Sequence, residues 1–239
     1  YGLTESAPII SARDCRRPVP GTIGKAMPEV ELKVVDESGQ PLGPGQKGVL
    51  HVRGPNIMMG YYKRPDLTAQ AVSKDGWLNT GDLVMLTRQG EIKFMGRAKE
   101  TIVLLGGENI EPTPIEDTIC ESEYVEQVMV VGHDQRWLGA LVVPNMENLG
   151  KFARENGIAF QKPEDLVEDE RVYRLIIDEI DSRVSPKRGF KLYERISKLT
   201  LLTKPFEKGT EMTHTLKLKR DVISSLYGKQ ITEMFKERR

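Results

Sequence analysis

Gly96-Arg97-Ala98-Lys99-Glu100-Thr101-Ile102-Val103-Leu104-Leu105-Gly106-Gly107-Glu108-Asn109-Ile110-Glu111-Pro112 is the stretch on which the fold turns. Charges precede an apolar, β-type run, and a double-glycine turn follows it. The character of the chain changes at Arg97–Glu100. Upstream, Gly and Pro punctuate short pieces: Pro18, Pro20, Gly21, Gly24 and Pro28, then Gly39, Pro41 and Gly43, then Gly48, Gly54 and Pro55. Val30 to Val35 and Gly48 to Arg53 alternate apolar and polar residues, the pattern of half-buried antiparallel strands. Asp36-Glu37-Ser38-Gly39 closes the first with turn chemistry. Leu83 to Leu86 and Glu91 to Phe94 flank Gln89-Gly90 and read as a hairpin. This half is expected to form a small antiparallel barrel.

Downstream the pattern differs. Pro114-Ile115-Glu116-Asp117 opens a short helix, with Pro and acids where a helix start accepts them. Val125 to Val131 and Leu138 to Val143 are apolar runs suited to buried strands, and Leu199 to Leu202 is another strand. Met146 to Asn156 and Pro163 to Val184 read as helical; Leu166, Val172, Leu175, Ile176 and Ile180 recur mostly three or four apart. Asp221 to Phe235 reads as a terminal helix capped by Asp221. The expected fold class is mixed α+β: a β-rich, barrel-like subdomain over 1–98, then a separate α/β domain over 99–239.

The chain has 239 residues, with 35 Lys+Arg and 35 Asp+Glu, so its net charge is zero. A zero balance argues against general nucleic-acid binding, which shows as a basic excess. Composition is that of a globular chain, 38% hydrophobic and 29% charged. No apolar run approaches the roughly 20 residues of a membrane span. The opening residues carry no signal-peptide pattern. Two distant cysteines, Cys15 and Cys120, and three scattered histidines build neither a disulfide framework nor a metal site. A reducing, cytoplasmic setting is the expectation. The neutral total hides segregation: residues 1–99 carry net +4, 100–186 net −12 and 187–239 net +8. The basic end can match the acidic block within the fold, meet a polyanionic ligand, or anchor a peripheral membrane protein.

Three further segments carry chemistry beside 96–112. Tyr1-Gly2-Leu3-Thr4-Glu5 offers an aromatic face for a purine, a hydroxyl for a phosphate oxygen and a carboxylate for Mg²⁺. Asp75-Gly76-Trp77-Leu78-Asn79-Thr80-Gly81-Asp82 ends in a carboxylate able to accept both hydroxyls of a ribose. It also reads as a polar turn before a strand. Thr213-His214-Thr215-Leu216-Lys217-Leu218-Lys219-Arg220 is a hydroxyl-rich loop with cations, suited to a phosphoryl or carboxylate ligand. It also reads as a basic surface turn.

Together, in order and spacing, these segments resemble the adenylate-forming enzymes, and within them the long-chain fatty-acid–CoA ligases. The resemblance covers nearly the whole chain. It implies two steps: fatty acid and ATP·Mg²⁺ give acyl-adenylate and pyrophosphate, then the CoA thiol gives acyl-CoA and AMP. It also implies fatty acid, ATP and CoA as partners, with no nucleic acid. An acceptor such as acyl-carrier protein, or an aryl substrate, stays open, as does a docking or regulatory role.

The same resemblance assigns roles. Tyr1 matches the adenine-stacking aromatic, Thr4 a phosphate-contacting hydroxyl, Glu5 the Mg²⁺ ligand, Asp82 the ribose-binding carboxylate and Arg97 a second ribose or phosphate contact. Lys99 occupies the hinge about which the small carboxy-terminal domain turns between half-reactions. Gly107 matches the glycine whose loop lines the pantetheine channel. The lysine motif departs from its common form: His214 stands where relatives carry Pro, and no Gly precedes a Lys. Pairing a Lys with an Arg three later selects Lys217 and Arg220, with Lys219 as the alternative. The family's upstream phosphate loop has no match, so the chain is expected to be the carboxy-terminal part of a longer enzyme, inactive in adenylation alone. The acidic helical stretch 146–184 is expected to elaborate the minimal lid.

Overall fold

The computed structural model describes residues 1–236. The chain divides into two compact units, Tyr1–Lys99 and Glu100–Arg239.

The first unit holds strands β1 (Ser11–Ala12), β2 (Lys25–Ala26), β3 (Glu31–Val35) and β4 (Lys47–Arg53), helix α1 (Pro65–Ala71), and strands β5 (Leu78–Leu86) and β6 (Ile92–Arg97). β3 to β6 form a four-stranded antiparallel meander in sequence order, and β1 pairs with β2. β3 and β6 are therefore edges, and the expected barrel is an open sheet. Residues 23 and 24 cover one edge: Ile23 N–H donates to Ile92 O and Ile92 N–H to Gly24 O, each at 2.8 Å. β4 alternates as its sequence dictates, with Leu50 and Val52 buried between less buried Val49, His51 and Arg53. Ile10, Val34, Leu50, Val52, Leu78, Val84 and Ile92 make the core.

β5 carries a bulge. The two-residue step from Val49 to His51 on β4 faces a four-residue step on β5, Leu83 to Asn79. Gly81 takes φ +70° there, and the Thr80 hydroxyl closes the bulge on Leu50 O at 2.8 Å. The segment ending at Asp82 is thus a turn at Asp75–Gly76, with the Gly76 N–H donating to Ser73 O at 2.9 Å, that leads into β5 at Leu78.

The second unit holds β7 (Ile102–Val103), β8 (Asn109–Ile110), α2 (Pro112–Ile119), β9 (Val125–Val131), β10 (Leu138–Pro144), α3 (Met146–Glu155), α4 (Pro163–Val167), α5 (Glu170–Arg183), β11 (Ile196–Leu201), α6 (Arg220–Leu226) and α7 (Gly228–Phe235). β10 is central, antiparallel to β9 and parallel to β11. Every residue of β10 is buried. Leu138, Ala140 and Val142 join the cluster with Ile115 of α2, Leu149 of α3 and Ile176 of α5. Leu141 and Val143 join the other cluster, with Ile223 of α6 and Met234 of α7. Helices on both faces explain why β10 is an unbroken apolar run. Gly139 lets α7 approach: a Cβ there would stand 2.9 Å from the Phe235 ring.

Two helical expectations are corrected. The span 163–184 is two helices, because Asp169 caps a new start by accepting from Arg171 N–H at 2.8 Å. The terminal helix is also two, α6 and α7, joined at Tyr227. Asp221 lies inside the first turn of α6, and the capping position is Lys219. The charge segregation is matched within this unit: Arg188 pairs with Glu121, Arg195 with Asp181, and Arg220 with Glu100 and Glu116. Among the described residues no helix is long and apolar enough to cross a membrane.

Candidate active site

In the first unit the bulge aims Asp82 inward, where its side chain is 1% exposed. Its register partner on β6 is Arg97, and the Arg97 Nε stands 3.2 Å from Asp82 Oδ1. Tyr1 completes the cluster: its hydroxyl donates to Asp82 Oδ2. The Tyr1 backbone is fixed because its carbonyl accepts the Ile10 and Ser11 N–H groups at 2.9 and 3.0 Å. Burial, then the hydrogen bond and charge of Asp82, hold the Tyr1 phenol well above its ordinary pKa, so it remains a donor. Its ring tilts 44° to Phe94 with centroids 6.4 Å apart. An aromatic face, a buried carboxylate and a half-exposed guanidinium thus converge from three distant points of the sequence.

Thr4 and Glu5 lie in a single 3₁₀ turn, Thr4–Ser6, with Thr4 exposed. Glu5 has a partner that the sequence does not signal: the Tyr61 hydroxyl donates to Glu5 Oε1 at 2.8 Å, and Met58 N–H donates to Glu5 O at 2.9 Å. Glu5 raises the Tyr61 phenol through that hydrogen bond. Tyr61 is itself set by its N–H, which donates to the Thr68 hydroxyl of α1 at 2.9 Å. Among the described residues no cluster of three or more His, Cys, Asp or Glu suits a metal. One carboxylate fits Mg²⁺ only when the ion arrives with phosphate and water ligands, which is how it is commonly held.

Lys99 is the last residue of the first unit, exposed in the 3₁₀ turn Ala98–Glu100. In the second unit Gly107 turns the chain between β7 and β8 at φ +86°, its N–H donating to Leu104 O at 2.9 Å. A Cβ at Gly107 would meet no atom within 4 Å.

The lysine loop is tightly drawn. Thr213 N–H donates to Lys217 O at 2.8 Å, Lys217 N–H to the Thr213 hydroxyl at 3.0 Å, and Lys219 N–H to Glu211 O at 2.8 Å. Leu216, where the common motif has Gly, adopts φ +61°. That left-handed conformation is the one Gly takes without strain. The two candidate lysines separate here. Lys219 Nζ donates to Gly209 O at 2.6 Å, whereas the Lys217 side chain is exposed. Arg220 turns inward, away from any ligand role. Its guanidinium binds Glu116 in a fork at 2.8 and 2.5 Å and Glu100 at 3.2 Å. The periodicity of α2 gives no hint of Glu116 as its buried partner.

The family profile described as AMP-binding enzyme matches residues 1–62, and that of the AMP-binding enzyme C-terminal domain matches 99–239. A probable chloroplastic acyl-activating enzyme 16 of Arabidopsis thaliana is 37% identical over 99% of this chain and 34% of its own length. A chloroplastic long-chain-fatty-acid–[acyl-carrier-protein] ligase of the same plant is 35% identical over 98% of this chain and 32% of its own. Long-chain-fatty-acid–CoA ligase 1 of Cavia porcellus is 34% identical over 98% and 34%. This chain therefore spans about a third of the length of the curated relatives it matches. Among solved structures, the A domain of a carboxylic acid reductase from Segniliparus rugosus, in complex with AMP and a co-purified carboxylic acid, superposes with a TM-score of 0.76. It is 27% identical, over 98% of this chain and 34% of that one. ATP-bound MatB from Rhodopseudomonas palustris shares the fold, with a TM-score of 0.68 at 24% identity. The chain belongs to the AMP-binding enzyme family, and residues 99–239 are that family's C-terminal domain.

Proposed function

We propose that this chain is the carboxy-terminal third of an ATP-dependent long-chain fatty-acid–CoA ligase. The Tyr1–Asp82–Arg97 cluster carries the reading, because an aromatic face beside a buried carboxylate and a cation suits adenosine. A carboxylate oxygen of the fatty acid attacks the α-phosphorus of ATP, the bond to pyrophosphate breaks, and acyl-adenylate forms. The CoA sulfur, its proton lost, then attacks the acyl carbon, the bond to AMP breaks, and the thioester forms. A free carboxylate is a poor electrophile; AMP supplies the leaving group.

Tyr1 stacks on adenine and Asp82 receives the ribose hydroxyls, which displace the Tyr1 hydroxyl that now covers it. Arg97 pairs with Asp82 and holds its carboxylate in place beside the sugar. Thr4 contacts phosphate. Mg²⁺, when bound, offsets phosphate charge, and Glu5 is the residue here that would hold it. Lys217 sets its ammonium against the α-phosphate as negative charge builds there. Its exposure, against the tethered Lys219, favours this assignment. Lys99 is the pivot between half-reactions and the Gly107 turn lines the thiol path. Acyl-carrier protein is a second candidate acceptor, favoured by the relative bearing that name.

The experiment uses the full-length protein that carries this chain, with CoA and carrier protein offered in parallel. Lys217→Ala is expected to lower acyl-adenylate formation about a hundredfold or more and to leave thioester formation from supplied acyl-adenylate intact. Equal loss in both half-reactions, or a selective loss in Lys219→Ala instead, overturns the lysine assignment. The 239-residue chain alone is expected to show no ATP–pyrophosphate exchange.

A further inference from the structure

We propose that Arg220 is a positioning residue that ties the lysine loop to Glu100, so that the residue next to the proposed pivot governs where the Lys217 ammonium stands. The inference rests on the reading of Lys217 and Lys99 given above.

Arg220 is the first residue of α6 and lies three residues after Lys217. Three residues reach at most about 10 Å, so a displacement of Arg220 passes to Lys217 with little slack. The loop between them has little freedom to absorb it. Lys219 is held by its N–H on Glu211 O and its ammonium on Gly209 O, and Met212 bridges to Leu218. Thr213 and Lys217 bond each other through backbone and hydroxyl.

At its other end Arg220 is anchored three ways. Its fork grips both oxygens of Glu116 on α2. Glu116 Oε1 also accepts the N–H of Val130, the next-to-last residue of β9, at 2.7 Å, which carries the anchor into the sheet. The Arg220 Nε donates to Glu100 Oε2 at 3.2 Å. Arg220 is 17% exposed and Glu116 9%, so that pair is shielded; Glu100, at 30%, is the accessible member. The planar guanidinium places the donors serving Glu116 and Glu100 in one rigid body. Glu116 sets its location, and Glu100 sets its remaining tilt. Glu100 is the first residue of the second unit, immediately after Lys99. A backbone change at the pivot therefore moves the one ligand of Arg220 that can move.

Glu100→Gln is the test, because it keeps the side-chain size and leaves the Glu116 fork intact. In this chain, hydrogen exchange of the amides over 213–219 is expected to quicken about fivefold, with the melting temperature unchanged. Unchanged exchange there overturns the tie, independently of any activity. In the full-length protein, the adenylation rate constant is expected to fall about fivefold with the KM for ATP and the thioester half-reaction unchanged. The same substitution in a Lys217→Ala background is expected to have no further effect on adenylation. An effect that persists without Lys217, or falls on both half-reactions, overturns the positioning role. If Lys217→Ala alone leaves adenylation intact, the functional reading fails instead, and the exchange result alone decides whether the tie exists.

Discussion

Arg220→Ala is the perturbation whose size the structure sets most directly. It leaves the buried Glu116 carboxylate inside the second unit without its fork. Breaking a buried pair from one side costs about 3–5 kcal/mol. The Val130 N–H stays on Glu116, and Glu100 is released to solvent at little cost, so the lower end, about 3 kcal/mol, applies. For a unit of this size that lowers the melting temperature by roughly 10 °C. The loss depends on pH. Burial pushes the Glu116 carboxyl up, and Arg220 is the main opposing influence, first through its hydrogen bonds and then through its charge. Without Arg220 the folded state holds the Glu116 proton more tightly than the unfolded chain does. A carboxyl raised on folding gives stability that is lost as pH rises from the ordinary carboxyl value of about 4.5 through the raised one. The deficit of Arg220→Ala against the parent chain should therefore narrow on acidification from pH 7 toward that value. Replacing both partners with apolar residues of similar volume should recover most of the stability. The assay is calorimetric or circular-dichroism melting of the second unit's transition across that pH range. A loss below about 1 kcal/mol, well short of the buried-pair range, or one that does not change with pH, refutes the reasoning.

Two further outcomes follow from glycines with opposite surroundings. Gly139→Ala forces a Cβ against the Phe235 ring at 2.9 Å and the Met234 sulfur, and should cost about 1–3 kcal/mol while speeding proteolysis of α7; a melt identical to the parent's would refute the close approach. Gly107 has open space and φ +86°, so Gly107→Ala and Gly107→Leu should cost the same, about 1 kcal/mol of backbone strain. In the full-length protein the Leu variant should still form acyl-adenylate while transfer to CoA fails. A much larger stability loss for Leu than Ala contradicts the open turn, and normal acyl-CoA output removes Gly107 from the thiol path.

The sequence by itself determined what local periodicity controls. The alternation in 48–53 placed β4, the Gln89-Gly90 turn placed the β5–β6 hairpin, and mostly apolar runs placed β9 and β10. Each depends on side chains within a few residues of one another. The order of the four motif segments was also legible, because it is a property of the chain alone. Other features needed the folded chain. Whether β3 and β6 meet is a matter of long-range pairing, so the open sheet was invisible. The bulge at Gly81, which turns Asp82 inward, exists only in the register of β5 against β4. Tyr61 reaches Glu5 across 56 residues, and Arg220 reaches Glu116 across 104, with no sequence pattern linking either pair. A lone Glu on a short helix looks solvated until β9 and α6 bury it. Lys217 and Lys219 are chemically alike in sequence. Only the fold separates them, because the chain brings the Gly209 carbonyl within reach of one ammonium and leaves the other in solvent.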